Sequence, residues 1–381
     1  MQKRTIGLYV HIPFCAQKCR YCDFLSFAHT DASVREAYTR ALIAEIGQQG
    51  KVYGNRFLVD SVFLGGGTPS LLSAGQLSRI LAALSRSFSR TRDCETTMEA
   101  NPGALDARKL EAVLTHGVNR LSIGVQSLSD ALLRVLGRIH TRADFLANYK
   151  AARHAGFANI NLDLMFAFPM QALADWRETL TEALDLRPEH VSFYSLQPEE
   201  ATPLWASLRD GTLAAIDEDT DREMYHDAVR TLTRAGYAHY EISNAARPGF
   251  RCRHNLKYWS MEAYLGLGLG AHSYADGIRF SNTCDPDAYI AAADGRAPFR
   301  AHTHVNSLED CISEYMFLGL RRIEGVLEAD YARHFGEELD ARFGGEIARL
   351  TREGLLERAD CALRLTPRGI DVSNRVFVAF V

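Results

Sequence analysis

His11-Ile12-Pro13-Phe14-Cys15-Ala16-Gln17-Lys18-Cys19-Arg20-Tyr21-Cys22-Asp23-Phe24 decides how the rest of the chain is read. Three cysteines spaced x3 and x2 follow directly on an apolar run, Ile6–His11, that predicts a β-strand. Thiolates on one short loop can all turn toward a single point, and soft sulfur donors favour zinc, copper(I) or an iron–sulfur cluster. A cubane cluster has four irons, so three thiolates leave one iron open to a small chelator. A structural zinc needs a fourth side chain, and His11, His29 and Cys252 are the candidates. Three metal-free buried cysteines are a poor reading, because a proline-flanked polar loop does not resemble core packing. The other five cysteines (Cys94, Cys252, Cys284, Cys311 and Cys361) are scattered.

Outward from this loop the chain alternates short strand-like runs with helical periodicity. Ser61–Leu64, Glu95–Glu99, Arg120–Gln126, Asn159–Met165 and His190–Leu196 predict five further strands. Ser33–Ile46, Ala74–Leu84, Asp106–Leu114, Phe145–Ala155 and Asp175–Leu186 predict the helices between them. Six β-then-α units in series imply a parallel sheet, open or curled into a barrel, with ligands at the C-terminal strand ends. After a helix near Asp217–Ala235 comes a glycine- and aromatic-rich stretch, Tyr258–Gly277. From Ser307 three helical patterns precede two short strand-like pieces, a winged-helix-like arrangement. We divide the chain into a barrel core (1–240), a connecting region (241–300) and a C-terminal helical appendage (301–381).

Composition narrows the function. The 381 residues are 47% hydrophobic and 24% charged, with a net charge of −4, so no basic field recruits nucleic acid or anionic lipid. Residues 307–381 carry ten arginines against fourteen acidic residues, so the winged-helix-like piece is not expected to bind DNA. The apolar stretch after Met1 is broken at once by His11 and Pro13, and no run spans a bilayer, so a cytoplasmic location is expected. There, clustered reduced cysteines point to metal chemistry.

Polar residues recur at the predicted strand ends. Gly65-Gly66-Gly67-Thr68-Pro69-Ser70 lets backbone groups approach a ligand, and no Gly-Lys-Ser/Thr follows to make it a phosphate loop. Glu99, Gln126 and Asp163 end or lie in three successive strands. Each alone is as readily a satisfied polar residue as a ligand contact. Together they offer the acceptors and amide that a sugar with two hydroxyls requires. Arg138 is suited to a ligand carboxylate, or to a surface ion pair.

Cx3CxxC after a first strand, with an aromatic residue before the third cysteine, resembles the radical S-adenosylmethionine (SAM) superfamily. The wider Tyr9-Val10-His11-Ile12-Pro13-Phe14-Cys15 resembles its branch around oxygen-independent coproporphyrinogen III dehydrogenase. The resemblance implies a (β/α)6 partial TIM-type barrel and a 4Fe–4S cluster on Cys15, Cys19 and Cys22. It further implies SAM chelating the open iron and cleaved there to methionine and a 5′-deoxyadenosyl radical. It maps Gly66, Gly67, Thr68, Glu99, Gln126, Arg138 and Asp163 onto SAM contacts, Tyr9 and Tyr21 onto aromatic neighbours, and Gln197 onto a backbone contact. One departure is Met165-Phe166-Ala167-Phe168-Pro169, where the family pattern ends in Gly-Leu-Pro.

Within that branch the haem-chaperone type is the better match. The dehydrogenase carries a further cysteine at the position of Phe24 and a long N-terminal segment where eight residues precede Tyr9. Arg253-His254-Asn255-Leu256-Lys257-Tyr258-Trp259 matches an HNxxYW motif associated with haem binding in the chaperones. A neutral imidazole suits haem iron, and Tyr258 and Trp259 suit a porphyrin face, although an isolated histidine is more often structural. Cys252 and His272 are further candidates. The expected partners are haem and apo-haemoproteins such as respiratory enzymes, with peripheral contact to membrane proteins. The dehydrogenase and a zinc-stabilised binding protein are the alternatives, and enzymatic turnover is left open.

Overall fold

The computed structural model describes residues 3–381. β1 (Arg4–Ile12) buries Ile6, Leu8, Val10 and Ile12 completely, as a strand covered on both faces must. It is followed by β2 (Phe57–Gly66), β3 (Arg90–Ala100), β4 (Arg120–Gln126), β5 (Ile160–Phe166) and β6 (His190–Ser195), each parallel to the one before. The helices that return the chain are α1 (Ala32–Tyr53), α2 (Ala74–Ser87), α3 (Ala107–Thr115), α4 (Asp130–Val135), α5 (Arg142–Ala155), α6 (Leu173–Asp185), α7 (Pro203–Arg209) and α8 (Glu218–Arg234). Their starts are written locally. Ser73 and Gln76 form a capping box on α2, and Thr141 and Asp144 form one on α5.

The parallel series does not close on itself. β8 (Asn244–Ala246) pairs antiparallel with β6, and β7 (Ala238–Glu241) forms that edge. α9 (Arg253–Trp259) then crosses back, and β9 (Tyr264–Leu267) pairs parallel with β1. β10 (His272–Ala275), β11 (Ile278–Asn282) and, after α10 (Pro286–Ala292), β12 (Arg300–Val305) extend the sheet antiparallel. The full order is β12-β11-β10-β9-β1-β2-β3-β4-β5-β6-β8-β7, an open, partial barrel. Residues 241–300, which read as a connection, thus supply four strands to the same sheet. Three to five residues each leave no period to read.

The C-terminal region has its own core, including Ile312, Met316, Tyr331, Leu350, Leu363 and Phe380. α11 (Leu308–Gly319), α12 (Glu328–Phe335) and α13 (Leu339–Arg352) pack on a small sheet of β13 (Val326–Leu327), β14 (Leu356–Ala359) and β15 (Ala362–Leu365). Helices followed by a hairpin give the winged-helix-like form expected. Among the described residues no helix is long and apolar enough to cross a membrane.

Candidate functional site

The C-terminal ends of the parallel strands converge on one cavity of about 140 Å³. Cys15, Cys19 and Cys22 line it together with Tyr21, Gly66, Gly67, Glu99, Gln126, Arg138, Asp163 and Tyr194. Gly66 sits at φ 106°, and a Cβ there would collide with the His11 ring. At Gly67 a Cβ would stand 2.8 Å from the carbonyl oxygens of Ile12 and Phe14, so only glycine lets this turn press against the thiol loop. Thr68 stands behind the loop and donates to Cys15 Sγ at 3.5 Å.

Arg138 reaches the same loop from the other side. It donates to Cys19 Sγ (3.6 Å), Asn101 Oδ1 (2.8 Å) and the Gly124 carbonyl (2.6 Å). Asn101 in turn donates to Thr68 Oγ1 at 2.7 Å. Sequence reading did not single out Asn101, although it lies in the stretch that ends in Glu99-Ala100-Asn101-Pro102. It ties the glycine turn to the arginine.

The electrostatics of this cavity ask for positive charge. Burial, aided by the neighbouring thiols Cys19 and Cys15, pushes the Cys22 thiol up to about 11. Burial, then the charge of Asp163, pushes Glu99 up to about 8. Asp163 is raised as well, chiefly by burial, although Asn161 and Ser122 donate to it. A thiol such as Cys22 that resists ionising alone becomes a thiolate when a metal centre neutralises it. Two buried carboxyls beside them complement an ammonium group and hydroxyls. Gln126, at φ 65°, accepts from Tyr194 at 2.9 Å, so its amide faces the cavity from a left-handed backbone.

The donors fit an iron–sulfur cluster better than a single ion. Among the described residues no three His, Cys, Asp or Glu side chains stand close enough to hold one metal ion. A cubane takes one thiolate on each of three irons and leaves the fourth open, whereas a tetrahedral zinc needs a fourth protein donor. His11 is committed elsewhere, its two ring nitrogens meeting Tyr9 Oη (2.9 Å) and the Leu25 carbonyl (2.8 Å). Cys252 lies in the lower half of the barrel, bonded to Glu95. Tyr9 stacks on Phe63 below Glu99 and is outside the cavity lining. Gln197 lines an adjoining cavity of about 530 Å³ that shares Tyr194 with the first.

The lower half is built differently. α9 is pinned by Glu95, which accepts from the Arg253 and His254 amides, both at 3.2 Å. His254 is 1% exposed and stacked on Phe63, with one ring nitrogen 2.9 Å from Ser61 Oγ and the other 2.9 Å from Tyr258 Oη. Burial, with Lys257 and Arg120 nearby, drives its pKa down to about 3. Tyr258, whose hydroxyl stays on His254, and Trp259 are half-buried and line an open slot. His272 is exposed on β10.

Comparison with known proteins follows the same outline. Residues 9–183 match the radical SAM superfamily, and residues 306–372 match the HemN C-terminal domain. The haem chaperone HemW of Bacillus subtilis is 39% identical over 98% of both chains. HemW of Escherichia coli is 39% identical over 75% of each, and the mouse mitochondrial radical S-adenosyl methionine domain-containing protein 1 is 40% identical over 98% of this chain and 87% of its own. The chain belongs to the HemW family. Like the rest of the superfamily, the HemW family implies a 4Fe–4S cluster and SAM. Coproporphyrinogen III oxidase of Escherichia coli superposes with a TM-score of 0.86 over 99% of this chain and 90% of its own. At 23% identity that likeness establishes the fold alone.

Proposed function

We propose that this HemW-family chain carries haem and hands it to apo-haemoproteins, respiratory enzymes among them. The observation that carries this reading is the similarity to a haem chaperone along 98% of both chains. Phe24 supports it: it is 65% exposed at the rim of the thiol cavity, where the dehydrogenase pattern has a further cysteine. The division of labour follows the chain, with cofactors on 1–240, the haem motif on 241–300 and an acidic appendage on 301–381. Work in the cytosol, touching membrane-bound recipients only peripherally, accords with this.

Cys15, Cys19 and Cys22 hold the cluster in this reading, and Gly66 and Gly67 leave room for SAM beside it. When bound, the cluster supplies an electron to SAM. Glu99 and Asp163 receive the ammonium and hydroxyl groups of SAM, Gln126 fixes an amide contact, and Tyr21 walls the site. Arg138 and Thr68 orient the thiol loop, Tyr9 supports Glu99 from below, and Gln197 reaches the outer end of the ligand. His254 holds α9 so that Tyr258 and Trp259 face a porphyrin, and His272 offers an exposed imidazole.

The test is anaerobic reconstitution of the cluster, followed by parallel assays of haem transfer to an apo-protein and of coproporphyrinogen conversion. Transfer without decarboxylation supports the chaperone. Conversion at a useful rate with SAM and reductant replaces it with the dehydrogenase. Stoichiometric zinc without sulfide revives the zinc-bound protein.

A further inference from the structure

The outward side of α9 opens onto a slot of about 200 Å³ whose walls include Tyr258, Trp259, Met261, Tyr264, Tyr274 and Arg279. Sheet register extends this slot in one direction. Tyr264 pairs with Tyr274, Tyr274 with Arg279, and Arg279 with His304. Directly paired residues point to the same face, so these four side chains form one row at strand spacings of roughly 5 Å. His304 stands at the open end of that row, on the edge strand β12, with 65% of its side chain exposed.

His304 differs from His254 in the one property that ligation needs. One ring nitrogen, Nε2, lies 3.1 Å from Asp310 Oδ2. The Ser307 amide and hydroxyl, with His304, hold the Asp310 carboxyl below its usual range, so it stays an anion and accepts the Nε2 proton. A neutral imidazole held in this way keeps a lone pair on its other nitrogen, Nδ1, and the carboxylate fixes the ring. His254, by contrast, has both nitrogens engaged inside the core.

We propose that the slot seats one edge of haem and that His304 supplies an axial nitrogen to its iron. The inference rests on the haem-carrier reading above and adds the ligand and the seat. Tyr258, Tyr264 and Tyr274 offer aromatic walls to the macrocycle. The Trp259 Nε1–H has no partner within the protein, and the Arg279 guanidinium, held over Tyr274 at 4.8 Å and paired with Glu314, lies between slot and histidine. Glu314 and Tyr264 take three of the five Arg279 N–H groups, and the two that remain suit a propionate. Two strand spacings, roughly 10 Å, separate Tyr274 from His304. Coordination replaces a solvent ligand on ferric iron and changes no oxidation state. A slot this small covers only part of a porphyrin, so a recipient protein has most of the haem to grasp. That suits delivery better than storage.

The experiment is titration of the cluster-reconstituted full chain with ferric haem, followed by the Soret band and by electron paramagnetic resonance. Wild type is expected to give an imidazole-ligated spectrum. His304→Ala, on an exposed strand, should fold normally by circular dichroism, shift the band and weaken binding at least tenfold. Arg279→Gln should weaken binding a few-fold without moving the band. His302→Ala, the next imidazole on the same strand face, should match wild type. An unchanged band and affinity in His304→Ala overturns the assignment while wild-type haem binding keeps the carrier reading. A band that moves in His254→Gln instead also overturns it. If wild type binds no haem, the carrier reading fails and this proposal fails with it.

Discussion

The two halves of the barrel treat buried polar groups in opposite ways. At the strand C-termini, thiols and carboxyls crowd one cavity in which burial holds them from ionising: Cys22 is pushed up to about 11 and Glu99 to about 8. In the lower half the polar groups satisfy one another. Asn161 meets His190, His190 meets Tyr240, and Tyr240 accepts the Cys252 amide. Residue type alone does not separate these cases, since both halves hold cysteine, histidine and acid. Perturbed ionisable groups facing a cavity mark a ligand site, whereas mutual satisfaction marks a scaffold. His254 is bonded in the manner of the scaffold, and the three thiols face the cavity.

The largest effect expected tests the upper half. Replacing Cys15, Cys19 or Cys22 singly with serine should abolish the cluster, measured as protein-bound iron and sulfide after anaerobic reconstitution. The SAM-dependent spectral change should vanish with it. A serine variant that still assembles a full cluster would mean that the thiol is replaceable and the cavity has been misread.

The second prediction breaks or sharpens the lower half. His254→Ala strands Ser61 Oγ and Tyr258 Oη and leaves a void beside Phe63, at a cost of about 3–4 kcal/mol in unfolding experiments. His254→Gln, which keeps both hydrogen-bonding functions, should recover much of that stability. The pH dependence follows from the neutral ring. With the folded pKa near 3 against an ordinary 6.5, its contribution is whole above pH 6.5 and falls as pH drops toward 3. The slope from this group approaches about 1.4 kcal/mol per pH unit, and His254→Gln should remove that share of it. His190, also held neutral by burial, keeps its own share. Acid sensitivity identical in wild type and His254→Gln contradicts the assignment.

A smaller effect is expected at Arg138. Its loss should weaken SAM binding by about 2–3 kcal/mol, the scale of a desolvated charged hydrogen bond. The guanidinium bridges Cys19, Asn101 and Gly124, so Arg138→Lys, with a single nitrogen, should lose most of the same affinity. Isothermal titration with SAM on cluster-loaded protein checks both variants. Unchanged affinity in Arg138→Ala removes the residue from the site.

The parallel half of the fold was legible because short β-branched or apolar stretches alternate with clear helical periods. Arg120–Gln126 emerges with the limits read from sequence, and His190–Leu196 ends one residue sooner. The thiol loop and the glycine turn were legible for the same reason, as chemistry concentrated in a few adjacent residues. The lower half was not. Glu95, Asn161, His190, Tyr240 and Cys252 are far apart in sequence, and only strand register brings them together. The short strands β8–β11 hid the row that places His304 beside Arg279, for two or three turns of register cannot be read from so few residues.

The smallest effect expected concerns the one family departure at the upper rim. Ala167 follows β5 and adopts φ 57°, the left-handed backbone that the family's glycine would take freely. An L-residue there costs about 1–2 kcal/mol relative to glycine, so the loop keeps its shape against strain instead of changing course. Its methyl group is buried, with 8% of the residue exposed, and the packing it gains offsets part of that cost. Glycine also has more unfolded-state freedom to lose. The net expectation for Ala167→Gly is a stabilisation of about 0.5 kcal/mol with SAM affinity unchanged, read from denaturant midpoints and titration. A net destabilisation would show that methyl packing outweighs backbone strain. A changed SAM affinity would show that the alanine, and with it the loop, tunes the cavity and does not merely border it.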